Sequence, residues 1–126
     1  MVEGKPEILF SKAVIKGRVG ELARRISQDY AGRDLLVVGV LKGAFVFMAD
    51  LVRGLDIPCQ VDFVRLASYG AGSTSSGKVR ITKDLETDIA GRHVLIVEDI
   101  VDTGLTLAWL AETLRQRQPA SIRVCA

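Results

Sequence analysis

The stretch VLIVEDIVDTGLTL, Val94 to Leu107, decides how the chain is read. Val94 to Val97 are apolar without interruption, as in a strand buried on both faces. The turn that should follow instead receives Glu98, Asp99 and Asp102, three carboxylates within five positions. Next come Thr103, Gly104, Leu105 and Thr106, small and hydroxylated residues of the kind that favour backbone phosphate cradles. A helix starts near Leu105, because Leu107, Leu110, Ala111 and Leu114 fall at i, i+3, i+4 and i+7, and Pro119 ends the run. The motif is therefore a buried strand, an acidic turn and a helix N-terminus.

Outward from this motif, strands and helices alternate. Ile15, Val19, Leu22, Ala23, Ile26 and Tyr30 recur at helical spacing and predict an amphipathic helix closed by Gly32. DLLVVGVLKG then reads as a second strand apolar on both faces. GAFVFMADLVRGL reads as a helix ending near Gly54. Its residues Ala44 to Ala49 are apolar nearly all round, which suggests one face against the core and another against a partner subunit. After Pro58, CQVDFVRLASY alternates as a strand does. GAGSTSSG, residues 70–77, reads as a flexible surface segment. KVRITKDLE resumes as a strand, and SIRVCA forms a last one. The pattern predicts an α/β domain with a mainly parallel twisted sheet flanked by helices. Ligands of such sheets bind at the carboxyl ends of the strands. That directs attention to Leu41-Lys42-Gly43 and to Glu98–Thr106.

The 126 residues have room for one domain and one core, and no linker or repeat divides them. A formal net charge of +2, from 17 basic and 15 acidic residues, gives no basic footprint for nucleic acid or an anionic membrane. The longest apolar run, LLVVGVL, is far short of the ~20 residues of a membrane span. MVEGKPEILF has no signal-peptide core, so the expected compartment is the cytoplasm. Cys59 and Cys125 lie in strand-like apolar contexts without metal-ligand spacing and read as buried free thiols.

Two segments compete as phosphate sites. Gly72 to Val79 nearly spells a P-loop, but Val79 stands where a magnesium-holding hydroxyl is required, and the residues that follow are strand-like. It reads better as a Gly/Ser loop with a lysine at its edge. At Asp102–Thr106, successive N–H groups and a helix dipole can converge on an anion, with Thr103 and Thr106 as hydroxyl donors and Gly104 permitting close approach. Helix capping by Asp102 or Thr103 explains the same residues alone. Glu98 and Asp99 tip the balance, since two charges at the end of a buried strand are costly unless used. Carboxylates facing a sugar diol or magnesium, beside amides facing a phosphate, would suit a ribose 5-phosphate.

These residues resemble the phosphoribosyl pyrophosphate motif of type I phosphoribosyltransferases, in the form found in the hypoxanthine-guanine group. VGVLKGAFVFMADL at 38–51 and VRLASYG at 64–70 extend the likeness over nearly the whole chain, in the family's order. The resemblance implies a magnesium-dependent transfer of 5-phosphoribosyl from phosphoribosyl pyrophosphate to N9 of hypoxanthine or guanine. Glu98 and Asp99 would hold the ribose hydroxyls, directly or through Mg²⁺. Thr103, Gly104, Leu105 and Thr106 would hold the 5′-phosphate, and Asp102 would serve as the catalytic acid–base residue near purine N7. Leu41, Lys42 and Gly43 would bind pyrophosphate, across a peptide that is often cis in this family. Ser68 and Tyr69 would begin a mobile Gly/Ser lid, although composition alone suggests a hairpin tip. Leu105 stands where some relatives have lysine, so phosphate binding would lean on amides and hydroxyls.

Relative to the family, residues 1–126 form a single phosphoribosyltransferase-like domain truncated at its C-terminus. The family continues into strands carrying a purine-stacking aromatic, a base-reading lysine and another magnesium ligand. His93 begins the strand and reads as a partly exposed turn residue rather than a catalyst, and Trp109 reads as packing. A xanthine- or adenine-specific transferase is a rival, as is a non-catalytic sensor of phosphoribosyl pyrophosphate. The former usually has Asp-Asp at the turn, and the latter usually carries a nucleic-acid surface. The expected assembly is a homodimer or homotetramer.

Overall fold

The two strands that are apolar on both faces lie side by side at the centre of the molecule. The computed structural model describes residues 12–68, 79–98 and 105–125, with only the backbone of 12, 13, 68 and 105. Strand β1 (Leu35–Leu41) pairs in parallel with β4 (His93–Val97), Leu35 opposite His93 and Gly39 opposite Val97. On its other side β1 pairs in parallel with β2 (Gln60–Ser68). Strand β3 (Val79–Lys83) folds back antiparallel on β2, and β5 (Ser121–Cys125) runs parallel to β4. The order is β3-β2-β1-β4-β5, so the chain leaves β1 towards one edge and β4 towards the other. The mainly parallel sheet expected from the sequence is observed.

The alternation of side chains sorts two cores. Leu36, Val38, Val40, Val94 and Ile96 face α3 (Leu105–Arg115), meeting Leu107, Leu110, Ala111 and Leu114. Leu35, Val37, Leu95 and Val97 face α1 (Lys12–Asp29) and α2 (Phe45–Arg53). A strand buried on both faces can carry no polar alternation, which is why β1 and β4 are legible as uninterrupted apolar runs. Gly39 is small for a reason: a Cβ there would collide with the Met48 Sδ and come within 3.0 Å of the Phe63 ring. Gly32, at φ +72°, makes the turn after α1.

Several local expectations are corrected. The buried stripe of α1 begins at Val19 rather than at Ile15, which is 53% exposed. Cys59 is only half-buried, whereas Cys125 is buried, and both are free. His93 begins a strand and is partly exposed, as expected, but it belongs to the strand and not to the turn before it. It opens β4, its Nδ1 lies 2.7 Å from the Ser121 hydroxyl, and its ring meets Tyr30 edge-on. Trp109 packs against the α3 core, as expected. The Gly/Ser segment 70–77 lies outside the described residues.

No helix links β3 to β4. Residues 84–92 cross the sheet as a loop, placing Ile89 and Leu85 in the α3-side core. Asp62 of β2 fastens this loop. Its carboxylate accepts the N–H groups of Phe63 at 2.7 Å, Glu86 at 2.9 Å and Thr87 at 3.0 Å. Burial raises the cost of its charge, but the bonds from Phe63, Thr87 and Glu86 outweigh that and hold its pKa below the ordinary carboxylate value. Asp84 receives both arms of Arg117 at 2.8 Å, clamping the loop's start to the end of α3. Arg92 reaches Asp34 in the same way at the loop's far end.

The lowered folded-state pKa of Asp62 means a stabilising contribution present above the ordinary carboxylate range and lost as pH falls through the folded value. Asp62→Asn keeps one acceptor oxygen and loses the charge, so urea unfolding at neutral pH should show a loss of about 1–3 kcal/mol. The gap between wild type and variant should narrow below pH ~4. A gap independent of pH would contradict this account of the loop.

Candidate functional site

Because β1 and β4 are neighbours whose chains depart in opposite directions, their carboxyl ends form the switch point of the sheet, where α/β proteins open a crevice. The two segments singled out from the sequence emerge here. With Gly39 opposite Val97, the residues after each strand leave the sheet side by side.

On the β1 side, Leu41 ends the strand and the Leu41–Lys42 peptide is cis, the state that the sequence left open. Lys42 and Gly43 are exposed. The loop is fastened directly to α2: Ala44 donates to the Val40 carbonyl at 3.2 Å and Phe45 to the Lys42 carbonyl at 3.3 Å. The Lys42 ammonium is thus carried on a short, anchored bend at the strand end.

On the β4 side, Glu98 follows the last buried residue and is itself half-buried. Its N–H donates to the Cys125 carbonyl at 3.1 Å, extending the β4–β5 ladder one step past the strand. Backbone pairing therefore fixes where the acid leaves the sheet. Thr106 lies exposed in the first turn of α3, where the helix dipole favours an anion. Leu105 begins that helix and Ser68 ends β2. The side chains of these two, together with Tyr69, Asp99, Asp102, Thr103 and Gly104, lie outside the described residues.

Among the expected site residues, Leu41, Lys42, Gly43, Glu98 and the start of α3 are thus brought to one end of the sheet. A cleft of about 660 Å³ lined by Gly32–Leu35, Ile57–Gln60 and Arg92 lies at the opposite, amino end of β1 and β4. It contains none of the expected residues. Burial pushes both thiols up, Cys59 and Cys125 alike, which makes them poor nucleophiles. Among the described residues no three His, Cys, Asp or Glu side chains group as a metal cage. The Glu98 carboxylate is a hard oxygen donor of the kind magnesium takes, and magnesium is commonly held by one or two carboxylates with substrate oxygens and water. No described helix is long and apolar enough to cross a membrane.

The model of the phosphoribosyl transferase domain matches residues 7–126. The chain belongs to that family. Within it, the chain is 49% identical over 124 residues to hypoxanthine-guanine phosphoribosyltransferase of Mycobacterium tuberculosis, covering 94% of this chain and 61% of the relative. It is 46% identical over 121 residues to hypoxanthine phosphoribosyltransferase of Escherichia coli, covering 94% and 68%. A crystal structure of hypoxanthine phosphoribosyltransferase from Staphylococcus aureus superposes with a TM-score of 0.90 at 39% identity, covering 94% of this chain and 64% of that one. The chain thus spans about three-fifths of the length of its mycobacterial relative.

Proposed function

We propose that the chain carries the phosphoribosyl-binding part of a purine-salvage enzyme of the cytoplasm. The reaction is transfer of 5-phosphoribosyl from phosphoribosyl pyrophosphate to N9 of hypoxanthine or guanine, giving IMP or GMP and pyrophosphate. One observation carries this reading: an anchored lysine loop and a strand-end glutamate leave adjacent parallel strands at the sheet's switch point, beside a helix N-terminus. The names of the similar transferases supply the purine class.

In this reading Lys42 and the backbone of Leu41 to Gly43 bind the pyrophosphate group and neutralise charge as it departs. Residues 103–106 seat the 5′-phosphate at the amino end of α3 and orient the ribose for in-line approach. Glu98 and Asp99 accept from the ribose hydroxyls and would hold magnesium, which when bound supplies further charge neutralisation on the leaving group. Asp102 moves a proton at purine N7. Ser68 and Tyr69 belong to a segment that keeps water from the electron-poor ribosyl centre. The assembly is a homodimer or homotetramer, with neither nucleic acid nor membrane as a partner.

Two substitutions separate the roles. Asp102→Asn should lower kcat by ~10²–10⁴-fold with a smaller effect on the Kd for phosphoribosyl pyrophosphate, read by steady-state kinetics and calorimetry. An unchanged kcat would remove the proton-transfer role. Lys42→Ala is a change at an exposed side chain, so its unfolding free energy should stay within about 0.5 kcal/mol of wild type. Its pyrophosphate affinity should nevertheless fall at least about tenfold, as loss of a charge-assisted contact requires. Undiminished affinity would move the pyrophosphate subsite elsewhere. Formation of XMP or AMP instead of IMP or GMP in a purine panel would overturn the 6-oxopurine assignment.

A further inference from the structure

The cleft at the amino end of the sheet joins an apolar wall to a fixed positive charge. Strands β1, β2 and β4 begin around it, and its volume of about 660 Å³ is that of a small-molecule pocket. One wall is the margin of the α1–α2 core, where the half-buried Ile57 and Cys59 lie beside the buried Leu35. Burial pushes the Cys59 thiol up, so it stays uncharged at neutral pH and the wall is apolar. The other wall carries two guanidinium groups. The Arg92 side chain, only 13% exposed, donates to the Asp34 carboxylate from Nε at 2.9 Å and from Nη2 at 2.8 Å. Its peptide is pinned as well: the N–H donates to the Ile89 carbonyl at 3.0 Å, and the carbonyl accepts from the Ala120 N–H at 2.7 Å. Among the described residues nothing engages the Arg92 Nη1, and nothing pairs with the exposed Arg33 side chain. Asp34 neutralises one guanidinium, which leaves the cleft one positive charge in excess.

We infer that this cleft is a second binding site, separate from the crevice at the carboxyl ends, for a small molecule that joins one carboxylate or phosphate group to a flat apolar body. The anionic group bonds to Arg33 and to the Arg92 Nη1, since guanidinium groups match both anions in geometry and charge. The body lies against Ile57 and Cys59, with the Gln60 amide at the rim for a polar edge. The Asp34–Arg92 fork fixes one cation before a ligand arrives, so little side-chain freedom is lost on binding. The excess positive charge disfavours a metal cation as occupant. Phosphoribosyl pyrophosphate, with several charges and no apolar face, does not suit the cleft either, and the inference is independent of the reaction proposed above.

Amide chemical-shift titration of the labelled chain with phenyl phosphate, benzoate, inorganic phosphate and acetate tests this. Phenyl phosphate, benzoate or both should produce saturable shifts at Asp34, Leu35, Cys59, Gln60 and Arg92, with a Kd of about 1 mM or tighter, the range open to so small a ligand. The tighter of the two identifies the anion that the site takes. Inorganic phosphate and acetate should bind there at least about tenfold more weakly, because they lack the ring. Arg33→Gln, a change at an exposed side chain, should leave the rest of the spectrum in place and weaken binding about tenfold, as loss of a charge-assisted bond requires. Shifts that never saturate at the cleft, or that appear only at Lys42, Gly43, Glu98 and Thr106, would overturn the second site. Acetate equal to benzoate and phosphate equal to phenyl phosphate would remove the apolar half of the inference. Undiminished affinity in Arg33→Gln would remove the anionic half.

Discussion

The parallel ladder between β1 and β4 is the constraint on which everything else hangs. Both strands are buried on both faces and flanked by a further strand on their outer edges, so a slip of one residue would exchange the two faces throughout. That register sends the chain out of the sheet at two neighbouring points, Leu41 and Glu98, while β2 and β5 carry it to opposite edges. A crevice at these ends is a topological consequence, and Glu98 and Thr106 of the chain's most informative motif stand at this end of the sheet. The opening puzzle, carboxylates beside an anion cradle, is eased by this geometry. Glu98 is placed by the β4–β5 ladder and Thr106 by the first turn of α3, so these two residues are held by different elements.

Much of this was legible in the sequence because apolar runs and helical spacing are local signals. Val94–Val97 and Leu35–Leu41 have no polar alternation, and only a doubly covered strand tolerates that. Leu107, Leu110, Ala111 and Leu114 announce α3 by period alone, and all four are buried. What stayed hidden depends on contacts distant in sequence. Asp62 looks like the polar half of an alternating strand, yet it is buried and takes its partners from residues 24 and 25 positions away. The crossing loop 84–92 has no period to read, because it is held by Asp62 and the Asp84–Arg117 clamp. Ile15 continues the helical period of α1 but extends past the end of the core, so periodicity placed it inside when packing leaves it out. The state of the Leu41–Lys42 peptide has no compositional signature at all.

The site itself was legible as residue types in order, and its family likeness as motifs. Its geometry is divided. The described residues bring Lys42, Glu98 and Thr106 to one end of the sheet, and the roles proposed for 99–104 rest on motif resemblance. The chain spans about three-fifths of the length of its mycobacterial relative.

The central claim is that one phosphorylated sugar bridges the carboxyl ends of β1 and β4. Amide chemical-shift mapping of the labelled chain during titration with phosphoribosyl pyrophosphate and magnesium tests it most directly. The account predicts that the saturating shifts centre on Lys42, Gly43, Glu98 and Thr106. Shifts centred instead on Arg33, Asp34, Cys59 and Gln60, at the opposite end of the sheet, would contradict it.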